Sequence, residues 1–262
     1  MNNKSVVLTE FKQLLELEYT GATPASYVGY VSDFLDFSKN VPDRINNEDV
    51  LKYNIHLNQF GYSYKNCAIS AIKAYFRLYL KKSIKGLSSK RPKKQFKQPK
   101  VLDAITLSDK IKLIKNKKHK AILALGLSAW LRRSEVVNLK INDIDSDRMK
   151  IKINQSKAAK DREVELSEIT LKILRDYVKE YRPFYYLFNG QNNNPQYSGS
   201  SINAISHKFL DCRFHCLRAS GSTFALENGT DIKTISEMLG HNSIETTKFY
   251  IPTLYKNLKQ AI

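Results

Sequence analysis

Three observations predict a mainly α protein in two parts, the second holding one small β-hairpin or sheet. Helix-period apolar spacing runs from about residue 5 to 82 and returns beyond residue 101. Between these regions, residues 81–100 carry nine Lys or Arg, no acidic residue and two prolines. Period-two alternation is strong only around residues 149–166.

The N-terminal elements follow in order. "VVLTEFKQLLELEY" puts Val7, Phe11, Leu14, Leu15 and Tyr19 near one helical face. "SYVGYVSDFLDFSKN" supplies a second helix. "NEDVLKYNIHLNQF" supplies a third, with Asn47 as its expected N-cap, Glu48 and Asp49 in the first turn, and Gly61 at its end. "YKNCAISAIKAYFRLYLKK" is the fourth. Four helices in so short a span make a compact bundle, assigned to residues 1–83. Residues 84–100 form a basic linker, because Pro92 and Pro99 exclude a continuous helix.

The second part is assigned to residues 101–262. "ITLSDKIKLIK" predicts a helix from Ser108, and "KHKAILALGLSAW" an apolar core helix. In "RMKIKINQ…REVELS", Met149, Ile151 and Ile153 share one face and are followed by Val164 and Leu166. The intervening "SKAAKD" makes this a hairpin with a lysine-bearing loop. "EITLKILRDYVKEY" is amphipathic, and short helices follow, with Gly229 and Gly240 at expected C′ positions. No internal repeat is visible.

Composition narrows the partner. The 262 residues carry a formal charge of +18, with 11 Arg among 43 basic residues. Such a surplus points to a polyanion, nucleic acid above all, against the alternative of a lysine-rich solvated surface. No apolar run reaches membrane-spanning length, so no membrane partner is expected. The N-terminus lacks a signal-peptide pattern, and secretion is not expected. Cys67, Cys212 and Cys216 lack the further pair that a zinc site needs, so no metal site is expected.

Four places can carry phosphate chemistry. Arg132 and Arg133 follow the apolar helix, ahead of Glu135, and suit either bidentate phosphate binding or pairing with that carboxylate. Lys157 and Lys160 stand at the hairpin tip, solvated or entering a DNA groove, where a lysine can protonate a leaving oxygen. "FHCLRAS" sets His215 and Arg218 three apart on one helical face. In "LGHNSIETTKFY", Gly240 ends one helix, and Asn242 with Glu245 resembles a capping box for the next. His241 then stands at a helix N-terminus that favours an anion. Tyr250 lies nine residues on, about 13 Å along an ideal helix.

In this order the motifs resemble the tyrosine recombinases, the phage-integrase and Xer-type family. "HCLRASGSTFALENGTDIKTISEMLGHNSIETTKFY" follows the family's H-x-L-R…G…LGH…TT…Y pattern, and the resemblance covers residues 101–250. It implies a catalytic domain at 101–262 and a helical core-binding (SAM-like) DNA-binding domain at 1–83. By position, Tyr250 is similar to the nucleophile, Arg132 to the first active-site arginine, Lys157 to the hairpin lysine, His215 and Arg218 to the HxxR pair, and His241 to the second histidine. Glu135 is expected to orient its surroundings. Trp130 and Ala219 depart from the family, standing where glycine and a second histidine are usual.

The resemblance implies site-specific recombination through a 3′-phosphotyrosine and a Holliday junction, with no cofactor, metal or ATP. The expected partners are double-stranded DNA bearing a recombination site and a homotetramer on it, with a second recombinase or accessory protein as a further candidate. Lys90, Arg91, Lys93, Lys94, Lys97, Lys100 and Lys160 are the expected DNA contacts, and the expected location is cytoplasmic, on the nucleoid. Leu254, Leu258 and Ile262 form an apolar stripe that docks in cis or on a neighbour. The rival readings are a type IB topoisomerase-like enzyme, a catalytically silent DNA-binding regulator and a DNA-packaging protein.

Overall fold

The computed structural model describes residues 3–84, 100–154, 161–190 and 195–240. The chain divides into two compact units, Met1–Phe96 and Lys97–Ile262, and the division falls inside the basic stretch.

The first unit packs α1 (Asn3–Glu18), α2 (Thr23–Ser38), α3 (Asn47–His56) and α4 (Tyr62–Ala74), the last continuing into a π-helical turn at Tyr75–Leu80. Its core gathers one apolar stripe from each helix, including Phe11, Leu15, Phe34, Val50, Ile69 and Ile72. On α1, Val7, Phe11 and Leu15 are buried, whereas Leu14 and Tyr19 only flank the core. The cap of α3 is Asn46 and not Asn47. Its carboxamide accepts the Glu48 and Asp49 N–H groups, while the Asp49 carboxylate accepts the Asn46 N–H. This reciprocal pair satisfies donors that a helix start leaves open, and it needs the extended backbone found one residue earlier than expected. Gly61 precedes α4 as its N-cap residue and does not end α3.

The second unit is helical around a small sheet. It contains α5 (Ala104–Lys112), α6 (Lys117–Ser128), α7 (Arg133–Asn138), β1 (Ile144–Asp145), β2 (Lys150–Ile153), β3 (Arg162–Glu165), α8 (Glu168–Tyr181), α9 (Gly199–Leu210), α10 (Phe214–Glu227) and α11 (Ile232–Leu239). Helix α5 starts ahead of Ser108, because the Asp103 carboxylate caps it by accepting the Thr106 N–H at 2.6 Å. The antiparallel hairpin is present, with Ile151 opposite Val164. Ile151, Ile153, Val164 and Leu166 are buried, and Met149 is half-buried. A third strand, β1, extends the sheet in the order β1-β2-β3. At two residues it is too short to show a period in the sequence.

Helix α6 runs through the core with Ala121, Ile122, Leu123 and Leu125 buried. Helix α10 crosses it closely, and glycines make the approach possible. A Cβ on Gly221 would lie 2.0 Å from the Leu127 carbonyl oxygen and 2.7 Å from the Trp130 indole nitrogen. Trp130 itself takes φ +52°. A bulky side chain in this left-handed region costs about 1–3 kcal/mol. Packing against Ala219, Ile235 and Leu239 holds it there.

Trp130 is the chain's one tryptophan, so its fluorescence reports on the second unit. Gly221→Ala has no room for its methyl group. It should lower the urea-unfolding free energy read from Trp130 emission by about 3 kcal/mol.

Candidate functional site

The site forms where the ends of α6, α10 and α11 meet β3 and α7. Helix α6 stops at Ser128, and the left-handed turn at Trp130 redirects the chain so that Arg132 becomes the N-cap residue of α7. Three residues on, the Glu135 carboxylate folds back. Its Oε2 accepts the Arg132 backbone N–H and its Oε1 accepts Arg132 Nη1, each at 2.7 Å.

A second guanidinium completes the carboxylate. Arg162, the first residue of β3, donates from Nη1 and Nη2 to the two Glu135 oxygens, both at 2.9 Å. Four hydrogen bonds then occupy Glu135, matching the lone-pair sites of a carboxylate. Burial on its own would raise the Glu135 pKa. The bonds and charge of Arg162, followed by Arg132, outweigh burial and hold the group below the usual carboxylate range.

The third guanidinium is Arg218 on α10, with a side chain only 1% exposed. Its Nη1 donates to the Trp130 carbonyl at 2.7 Å, and its Nη2 donates to the Leu239 carbonyl. Nη1 also lies 3.8 Å from Glu135 Oε2. His215, three residues earlier on the same helical face, keeps solvent exposure. Partial desolvation, then the charges of Arg218 and Arg132, push its imidazole pKa below the ordinary value. Arg132 is the more open of the clustered arginines, at 34% exposed. Beside it lies an open cavity of about 490 Å³, lined also by Asn138, Lys140, Lys152 and Asn154.

The structure therefore brings together Arg132, His215 and Arg218, the expected residues that it describes here. Lys100 is exposed. Lys157, Lys160, His241 and Tyr250 lie outside the described residues, as do Lys90, Arg91, Lys93, Lys94 and Lys97. The expected capping pair Asn242–Glu245 and the apolar stripe from Leu254 lie outside them too. Sequence reasoning did not single out Arg162. Its signal was the closing arginine of "KAAKDR", the K-x-x-K-x-R pattern whose first residue is Lys157, standing two before the core residue Val164 on the inward face of an alternating strand. Among the described residues, no group of three His, Cys, Asp or Glu side chains could hold a metal ion. No described helix is long and apolar enough to cross a membrane.

Around one carboxylate stand three guanidinium groups, an excess of two positive charges in a largely buried setting. Such a cluster is built to receive an anion with several acceptor oxygens.

Comparison with known proteins names the class. The phage integrase family matches residues 98–257. Tyrosine recombinase XerA of Pyrococcus horikoshii is 32% identical over 274 residues, covering 98% of this chain and 93% of that protein. The crystal structure of XerA recombinase aligns over 98% of both chains at 25% identity, with a TM-score of 0.56. XerH site-specific recombinase, solved bound to palindromic difH substrate in a post-cleavage complex, shares the fold with a TM-score of 0.68. That match has 18% identity and covers 91% of this chain and 78% of that one. The chain belongs to the phage integrase family and is a tyrosine recombinase, a DNA strand-transfer enzyme of site-specific recombination.

Removing the shared carboxylate should leave the three cations facing one another. Glu135→Ala is expected to destabilise the second unit by about 3–5 kcal/mol, read from Trp130 emission in urea. Inorganic phosphate should recover part of that loss by supplying the missing negative charge.

Proposed function

We propose that Tyr250 attacks a scissile phosphate in a specific DNA site, forming a 3′-phosphotyrosine and releasing a 5′-hydroxyl. The observation that supports this most is the surplus of two positive charges around Glu135, with His215 alongside. A phenol is a weak nucleophile while it keeps its proton, and the phosphate repels it until its charge is offset. Arg132 and Arg218, joined by His241, stabilise the charge that develops on the pentavalent phosphorane. The neutral His215 assists removal of the phenolic proton. Lys157 delivers a proton to the departing 5′-oxygen.

The phosphotyrosine retains the energy of the broken phosphodiester. A 5′-hydroxyl from another strand can therefore attack it and restore the backbone without ATP. Two such exchanges, through a Holliday junction in a tetramer of this chain on double-stranded DNA, complete recombination. The unit at 1–83 is the core-binding domain, and the basic residues of 84–100 lie along phosphates. The work takes place on the nucleoid. The chain's charge and the family's order of residues support these assignments.

The nucleophile is tested by incubating wild type and Tyr250→Phe with nicked candidate-site DNA and resolving covalent adducts. Wild type should form a protein–DNA adduct and the variant none. An adduct from the variant would remove Tyr250 from the role.

The proton step is tested by pH. A depressed pKa keeps His215 neutral to lower pH than an ordinary imidazole near 6.5. The second-order rate of covalent capture reports groups of the free enzyme. It should hold as pH falls to about 6.5 and drop only below that value. His215→Gln should be slower and lack this acid limb.

A further inference from the structure

Three guanidinium groups close on the carbonyls of three consecutive residues at the end of α11. Arg162 Nε donates to Met238 O at 2.9 Å, Arg218 Nη2 donates to Leu239 O, and Arg132 Nη2 donates to Gly240 O at 2.9 Å. The last carbonyls of a helix lack intrahelical donors and carry its negative dipole end, so arginine is a natural partner for them. Two of these arginines have phosphate roles in the reading above. Arg162 has none, and only 8% of its side chain is exposed.

We infer that Arg162 is a positioning residue for strand cleavage, holding in register the parts that deliver Arg132, Lys157 and Tyr250. The inference rests on the assignments of those three residues under Proposed function. One side of the guanidinium donates twice to Glu135, whose oxygens in turn accept both the Nη1 and the backbone N–H of Arg132. Its Nε fastens Met238. Gly240 takes φ +60°, and a Cβ there would meet the Arg162 Cδ and Nη1 at 3.0 Å. The side chain thus lies against the residue from which the segment carrying His241 and Tyr250 departs. Arg162 also opens β3, two residues after Lys160 and five after Lys157 in the sequence.

The geometry calls for arginine in particular. Three donors leave one plane in two directions, two toward a carboxylate and one toward a carbonyl. A lysine keeps the charge but has a single nitrogen, and it cannot span both partners in that fork. Arg162→Lys therefore separates position from charge.

The experiment measures single-turnover covalent capture on nicked DNA and equilibrium DNA binding for wild type, Arg162→Lys, Glu135→Gln, the double variant and Tyr250→Phe. Rates are taken per folded molecule, counted by Trp130 emission. Arg162→Lys should capture DNA about tenfold to hundredfold more slowly, with binding within about twofold of wild type. Because Arg162 and Glu135 share two hydrogen bonds, the double variant should lose less than the product of the two single losses. Capture at the wild-type rate, a parallel fall in binding and capture, or multiplied losses in the double variant would each overturn the inference. Tyr250→Phe separates the two readings. If it still forms an adduct, the nucleophile assignment has failed. If it forms none while Arg162→Lys behaves as wild type, only the role of Arg162 has failed.

Discussion

Glu135 accepts four hydrogen bonds from Arg132 and Arg162 and lies 3.8 Å from Arg218, so one negative charge is shared among three positive ones. The rest of the second unit is arranged around that imbalance. Burying cations is costly, and each must be met by fixed acceptors. One set of acceptors is the carboxylate. The other is backbone: the carbonyl of Trp130, and those of Met238, Leu239 and Gly240 where α11 ends. Carbonyl dipoles orient guanidinium groups without cancelling their charge. The cluster is therefore held in place while its attraction for a phosphate survives.

Backbone strain serves the same arrangement. Trp130 occupies a left-handed conformation that glycine would adopt without penalty, and its carbonyl accepts from Arg218. The indole packs against Ile235 and Leu239 of α11, so the residue that turns the chain toward Arg132 also braces the helix whose end meets the arginines. Gly221 on α10 leaves space for that indole. Stability lost at one φ angle is offset by apolar burial at the same side chain.

Much of this was legible in the sequence, and what was missed has physical causes. Strong periodicities placed α1 to α4, α6, α8 and the β2–β3 hairpin, because each buries one continuous apolar face. Ends were less legible. Asn46 and Asp103 cap their helices through local carboxamide and carboxylate bonds, and neighbouring polar residues look equally able to do so. Arg132, His215 and Arg218 could be named because their side chains follow a motif. The carbonyls that orient them could not, since every residue has a carbonyl. Arg162 was readable in principle as a cation facing inward on a strand, but only tertiary structure shows that Glu135 and Met238 await it there.

The bond from Arg132 to Gly240 spans 108 residues of sequence. A polypeptide emerges from the ribosome in order, so the first arginine is made long before the carbonyl that orients it. The three guanidinium groups share one geometry only once α11 has been synthesised and docked, because the carbonyls at its end accept from all three.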